Sequence, residues 1–221
     1  MALTASSLVR GISYAVRDKL YVSLTSASVM SGESLISLRG PGFTMPDSFA
    51  EVPEGKEPSA QQVFEAVELA YSAGYDSSAT VEDEMLGVCI AGSGEPLLRI
   101  DTLCEACTLI KEKRHGVPIR VMTSGLIGAD RLDDLSSCGV DELSVLLMGQ
   151  TPNEYSRHIQ PSPEVSSSGF QSVVAFVVGA AERGFKVECT TIAKPGVDVS
   201  ATRALAMSLG AQTFRERSYH G

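Results

Sequence analysis

No apolar run in this sequence approaches the roughly 20 residues that a membrane-crossing helix needs. The longest candidate, Val173 to Ala181, falls far short. A basic excess is missing too: 18 Lys and Arg stand against 27 Asp and Glu, a formal net charge of -9. That balance favours solubility and works against non-specific nucleic-acid binding. The few clustered cations, Lys111, Lys113 and Arg114 with His115, fall at the end of an expected helix, where they suit its dipole. There is no disulfide framework. The five cysteines (Cys89, Cys104, Cys107, Cys138 and Cys189) are an odd number spread over a mid-sized chain, which points to a reducing compartment. Nor does spacing pair a histidine with a nucleophile: His115, His158 and His220 fall on expected loops or ends and read as surface residues. Cys104 and Cys107 form a CxxC, but inside an amphipathic helix and with no second ligand pair, whereas zinc needs four ligands or three plus water. They read as core thiols. The acidic run Glu82, Asp83, Glu84 reads as a solvated loop. No catalytic residue and no metal ligand is assigned from these patterns. Met1 to Arg10 is acid-poor with small hydroxyl side chains, as transit peptides are. Because the chain starts at Met1, no removed leader is expected, and an intracellular, cytoplasmic location is expected ahead of an organellar one.

What is present fits one α/β domain over residues 1–221, since 221 residues of which 43% are hydrophobic can bury a sizeable core. Strands are expected at Leu20–Thr25, Met85–Ala91, Pro118–Met122, Glu142–Leu147, Lys186–Ile192 and Gln212–Arg215. Helices are expected at Ser59–Gly74, Asp101–His115, Ala129–Ser137, Ser168–Arg183 and Ser200–Gly210. The later strands read as continuous apolar runs, which implies a parallel sheet buried on both faces. About six βα units suit an open, partial (βα)6 TIM-like barrel better than the closed eight-unit one of ~250 residues. In such folds ligands sit at the carboxyl ends of the strands.

The segment from Ser26 to Pro58 is rich in Gly, Ser and Pro and reads as one long loop, of a length that usually has a function or is disordered. Its Phe43, Met45 and Phe49 look exposed and could meet a protein partner; equally, the loop could plug the barrel mouth. Gly92-Ser93-Gly94-Glu95-Pro96 falls where the second strand ends. Its glycines let a ligand approach the backbone, Glu95 can accept from an ammonium group, and Pro96 fixes the following turn. The same five residues also make an ordinary turn. They are neither a P-loop nor a GxGxxG fingerprint.

Several motifs line up in one order. LYVSLT (Leu20–Thr25), EPSAQQVFEAVE (Glu57–Glu68), AGSGEPLLR (Ala91–Arg99), VMTSGL (Val121–Leu126), VDELSVLL with TPNEYSRHIQP, and KPGVDVSATRALAMSLGA together resemble the TatD-linked radical S-adenosylmethionine (SAM) proteins. The resemblance runs from about Ser13 to Tyr219 and implies the radical SAM partial barrel. It implies a SAM site at Gly92, Gly94, Glu95, Pro96, Thr123, Ser124 and Gly125, with Glu95 at the amino group and the Thr123–Gly125 turn near the ribose. It also implies a CxxxCxxC motif whose thiolates bind a [4Fe–4S] cluster, but the matching positions here are Ser28, Gly32 and Leu35. Such clusters need soft thiolates. Leu146 and Met148 stand where the family commonly has Ser and Asn. The expected reading is a radical-SAM-like pseudoenzyme with a vestigial SAM site, working as a structural or regulatory subunit with other protein subunits as partners. No cofactor is expected; SAM remains possible and a [4Fe–4S] cluster is disfavoured. Two alternatives stay open: a SAM or nucleotide-binding protein (a sensor or a cluster-free methyltransferase), and a radical SAM enzyme with an unconventional cluster site.

Overall fold

Short β-branched runs that end in glycine turns become strands here because each can bury one face under a helix. The computed structural model describes residues 3–17, 19–76, 80–81, 84–85 and 87–221. In chain order the elements are β1 (Ser13–Val16), β2 (Lys19–Val22), α1 (Ala60–Ser72), β3 (Thr80–Val81), β4 (Glu84–Met85), β5 (Val88–Ile90), α2 (Ile100–Lys113) and β6 (Ile119–Thr123). There follow α3 (Leu132–Ser137), β7 (Glu142–Leu146), α4 (Pro152–Tyr155), α5 (Phe170–Glu182), β8 (Lys186–Ile192), α6 (Val199–Ser208) and β9 (Thr213–Arg217).

The main sheet runs β1-β2-β5-β6-β7-β8-β9. The six strands from β2 to β9 in that order are parallel neighbours, and β1 is added antiparallel at one edge. Its two ends, β1 and β9, do not pair, so the barrel is partial, with an open seam between them. The six-unit expectation holds. The hairpin partner β1 is an addition to it: SYAV is only four residues long, and it turns back through Arg17 at a positive φ of 46°. The first expected strand is displaced, since Ser23 to Thr25 have left the ladder. The second shrinks to Val88–Ile90, while Glu84–Met85 pairs with β3 in a separate two-strand ribbon. Glu82 and Asp83 of the acidic run lie outside the described residues.

Local chemistry sets the helix starts. Ser59 Oγ accepts from the Gln62 N–H (3.2 Å), and the Gln62 side chain accepts from the Ser59 N–H (2.9 Å), a reciprocal cap on α1. Asp198 accepts from the Ala201 N–H (2.9 Å) at the start of α6. Alternate strand residues, among them Leu20, Val22, Ile90, Val121, Leu143, Val145 and Val187, are fully buried in one cluster with Val63, Leu103, Phe176 and Val177 of the helices. Each such side chain contributes about 1.5–3 kcal/mol of burial.

The other strand face departs from the expected apolar one. It carries ions: Arg120 pairs with Glu142 (2.6 Å) and lies 3.7 Å from Glu188, which Arg215 also binds (2.9 Å). Ser144 Oγ donates to Glu188 (3.0 Å), and Lys186 reaches Glu142 (3.2 Å). Both sheet faces are covered, but the inner one is a charged lumen.

Residues 26–58 contain one helical turn, Ser37–Arg39, and are nonetheless tightly held. The Arg99 guanidinium donates to both Leu24 O (3.3 Å) and Pro58 O (2.9 Å), which joins the two ends of the loop. Ser31 N–H bonds Gln160 O and Ser162 N–H bonds Val29 O, and Gly42 and His220 are joined through main chain. Phe43, Met45 and Phe49 are each partly buried rather than exposed. Phe49 meets the Tyr14 ring edge-on at 5.0 Å, and Phe43 sits 5.5 Å from His220.

Candidate functional site

The turns after β5 and β6 meet at Glu95. This residue is 1% exposed and caps the short turn Pro96–Arg99, which Pro96 opens. Its Oε1 accepts from Thr123 Oγ1 (2.7 Å) and from the Leu97 N–H (3.2 Å). Its Oε2 accepts from the Ser124 N–H (2.8 Å) and Ser124 Oγ (2.6 Å). A carboxylate offers about four such positions, and all four are filled by the chain itself. Burial pushes its carboxyl above the ordinary value, and the donors from Ser124, Thr123 and Leu97 pull it back only in part. Thr123 Oγ1 also accepts from the Gly125 N–H (3.0 Å). Gly125 has a φ of 70°, and a Cβ there would fall 2.8 Å from Val145, so the turn needs glycine.

The structure brings Glu95, Thr123 and Ser124 into one hydrogen-bonded cluster. Gly92 and Gly94 stand beside it in different settings. Gly92 faces the lumen. Gly94 is covered: a Cβ there would lie 2.5 Å from Ala27 O and 2.6 Å from Thr25 O, and the Glu95 N–H donates to Ala27 O (2.9 Å). Close backbone approach is therefore used by the chain's own residues 25–27. The Glu51 carboxylate accepts from both Ser26 and Ser93 and binds this loop down.

The three positions matched to cluster ligands are occupied with other work. Ser28 Oγ donates to Glu33 O (2.7 Å) and accepts from the Met30 N–H (3.0 Å), closing a turn. Gly32 takes a φ of 69° in that turn. Leu35 packs on the core and bonds Ser93 O through its N–H. No thiolate is among them, so these residues do not fit a [4Fe–4S] cluster. Among the described residues no group of three His, Cys, Asp or Glu side chains is placed to hold a metal ion. Cys107 is buried and Cys104 half-buried, and the hydrogen bond that the Cys104 thiol donates to Cys138, together with burial, pushes the Cys104 thiol well up. No sequence signal links Cys138 to the CxxC pair, because it lies at the far end of α3. Leu146 is buried yet touches the lumen, and Met148 is sealed, its sulfur accepting from the Ile192 N–H (3.4 Å).

Two residues of the site region escape sequence reasoning altogether. Arg39 and Arg217 both line a lumen cavity of about 460 Å³ together with Gly92 and Thr123, while Glu95 and Ser124 do not. Cations at alternate positions of TFRER, Arg215 and Arg217, are a signal for Arg217; Arg39, in the Ser37–Arg39 turn, has no such signal.

The sequence matches no protein-family model and no curated protein. Solved structures do resemble it. TYW1 with a lysine-pyruvate adduct bound aligns with a TM-score of 0.60 at 15% identity, over 92% of this chain and 65% of that one. TsrM from Kitasatospora setae, a radical S-adenosylmethionine methyltransferase with tryptophan and a SAM analogue bound, aligns with a TM-score of 0.56 at 16% identity, over 89% and 35%. HydG, a maturase of the [FeFe]-hydrogenase, aligns with a TM-score of 0.60 at 13% identity, over 91% and 42%. This chain thus spans at most 65% of those proteins. Identities this low speak for the fold alone, and the fold is the partial barrel of the radical SAM enzymes.

Proposed function

We propose that this chain is a radical SAM-fold protein of the TatD-linked kind that acts by binding, as a structural or regulatory subunit among other protein subunits, and does not carry out cluster-dependent cleavage of SAM. One observation carries the reading. The carboxylate that the resemblance assigns to the SAM amino group, Glu95, is saturated by four donors from Thr123, Ser124 and Leu97. The cover over Gly94, where a ligand would have to displace main chain, and the absence of a thiolate at Ser28, Gly32 and Leu35 support it. Fold likeness does not oppose it, since one fold hosts many functions. A second reading, a SAM or nucleotide-binding protein, draws on the lumen cavity, which still reaches Gly92 and Thr123.

Anaerobic purification followed by iron and sulfide analysis, with SAM titrated into the same sample by calorimetry, separates these. The expected result is no stoichiometric iron and no SAM heat. About four iron per chain would overturn the proposal, and SAM heat without iron would replace it with the second reading.

A further inference from the structure

Behind the open seam, the 460 Å³ cavity has an unusual charge balance. Arg39 enters it from the Ser37–Arg39 turn and Arg217 from the end of β9. Arg39 Nε donates to Ser218 O (3.1 Å), and its guanidinium carbon lies 4.4 Å above the Phe43 ring. Among the described residues, neither arginine has a carboxylate within ion-pair distance. Glu188, the acid that Arg217 feels, is already held by Arg215 at 2.9 Å and by Arg120 at 3.7 Å. Glu216 also lines the cavity but makes no ion pair with either arginine.

Burial lowers both guanidinium values, and like charge adds to it: Arg217 acts on Arg39, and Arg215 on Arg217. Arginine stays protonated in proteins, so the lowering reflects a destabilisation that the fold carries. Two partly buried cations without a counter-ion are an unfavourable thing to keep. An anion between them would relieve it, and the guanidinium fork matches a carboxylate or phosphate group with two bonds. The remaining walls include the rings of Tyr14 and Tyr21, stacked 5.3 Å apart, and of Phe43. The volume lies within the range of small-molecule sites.

We propose that the lumen cavity binds a small organic anion, with Arg39 and Arg217 clamping its carboxylate or phosphate group and the aromatic wall taking its ring. The site adjoins the Glu95 cluster through Thr123 and deepens the second reading, which draws on the same cavity; iron and sulfide analysis tests the first reading, and the arginine variants test this one.

The test uses the full chain with four probes in calorimetry and thermal melting: adenosine monophosphate, uncharged adenosine, benzoate and inorganic phosphate. At least one anionic ring compound should bind and raise Tm, more strongly than adenosine, and phosphate alone should bind more weakly. Phosphate-type and carboxylate-type ligands are told apart by which of the two anionic ring probes binds. Arg39→Met and Arg217→Met should each weaken that probe about tenfold or more, the loss of a charge-assisted bond. A second readout guards against misfolding: ligand-free Arg217→Met should melt higher than wild type, by about 2–4 °C, because it removes a partly buried charge that has no ion-pair partner among the described residues. Equal binding of adenosine, no binding of either anionic ring probe at millimolar concentration, retained affinity in both variants, or a lower Tm for ligand-free Arg217→Met would each overturn the proposal.

Discussion

At the mouth of the barrel a buried carboxylate meets four donors, while at the open seam two arginines meet no carboxylate among the described residues. Both regions are polar, both lie inside one barrel, and Gly92 and Thr123 border both. They differ in what completes them. The Glu95 cluster is finished by its own chain, so it works as a bolt between the turns after β5 and β6. The arginine pair is unfinished, and a partly buried charge without an ion-pair partner marks a candidate ligand site. A motif that resembles a binding site can thus be the structural part, and a pair that no motif announces can be the better candidate for binding.

The contrast breaks most directly at Glu95. Glu95→Ala would leave the Thr123 hydroxyl and the Ser124 N–H and hydroxyl without their acceptor in a sealed site. A loss of about 3–5 kcal/mol is expected in urea unfolding, as for other broken buried networks. A loss below about 1 kcal/mol would mean that Glu95 is not a bolt and that its carboxylate is free for a ligand. Gly94→Ala follows in size. Its methyl group would fall 2.5–2.6 Å from the carbonyls of Ala27 and Thr25, which are main chain and cannot swing aside. Overpacking of that kind costs about 1–3 kcal/mol, and the ligand-free protein should show it in its denaturation midpoint. Had Gly94 been kept open for SAM, the same substitution would leave the ligand-free midpoint in place.

The bolt is visible in the sequence and the clamp is not, for physical reasons. Glycine turns at strand ends are local signals, and GSGEP and TSG stand in continuous stretches, so their positions on the sheet can be read. That they saturate each other cannot, because the Thr123–Glu95 bond joins residues in different βα units. The lumen is a matter of register. Glu142, Ser144 and Glu188 gather only because Arg120 pairs with Glu142 in one ladder and Ser144 with Glu188 in the next. Within any one strand each looks like a single polar interruption of an apolar run. Arg39 and Arg217 come from opposite ends of the chain and meet only after the loop of residues 26–58 folds back onto the C-terminal strand. The βα alternation, by contrast, repeats along the chain and yields six parallel strands, missing the four-residue edge strand β1, the β3–β4 ribbon and the short helix α4.

The finest test of the comparison is the pH dependence of stability, because it asks whether the bolt is itself under strain. Burial raises the folded-state value of Glu95 above its ordinary 4.5. Below the unfolded value the residue is protonated in both states and its contribution is fully present. As pH rises through the raised folded value, the folded state must surrender a proton that the unfolded state has already lost, and stability falls across that window. Glu95→Gln cannot titrate, so subtracting its stability-versus-pH curve from that of wild type cancels the other groups and isolates this one. The difference should decline from pH 4.5 upward and then level. Its total fall should be about 1.4 kcal/mol for each pH unit that separates the folded-state value from the unfolded one. A difference that instead grows with pH would mean that the four donors outweigh burial and hold the carboxyl below its ordinary value. The Glu95 cluster would then be a pre-formed anion cradle like the one inferred at the seam, and the distinction between the two regions would rest on Arg39 and Arg217 alone.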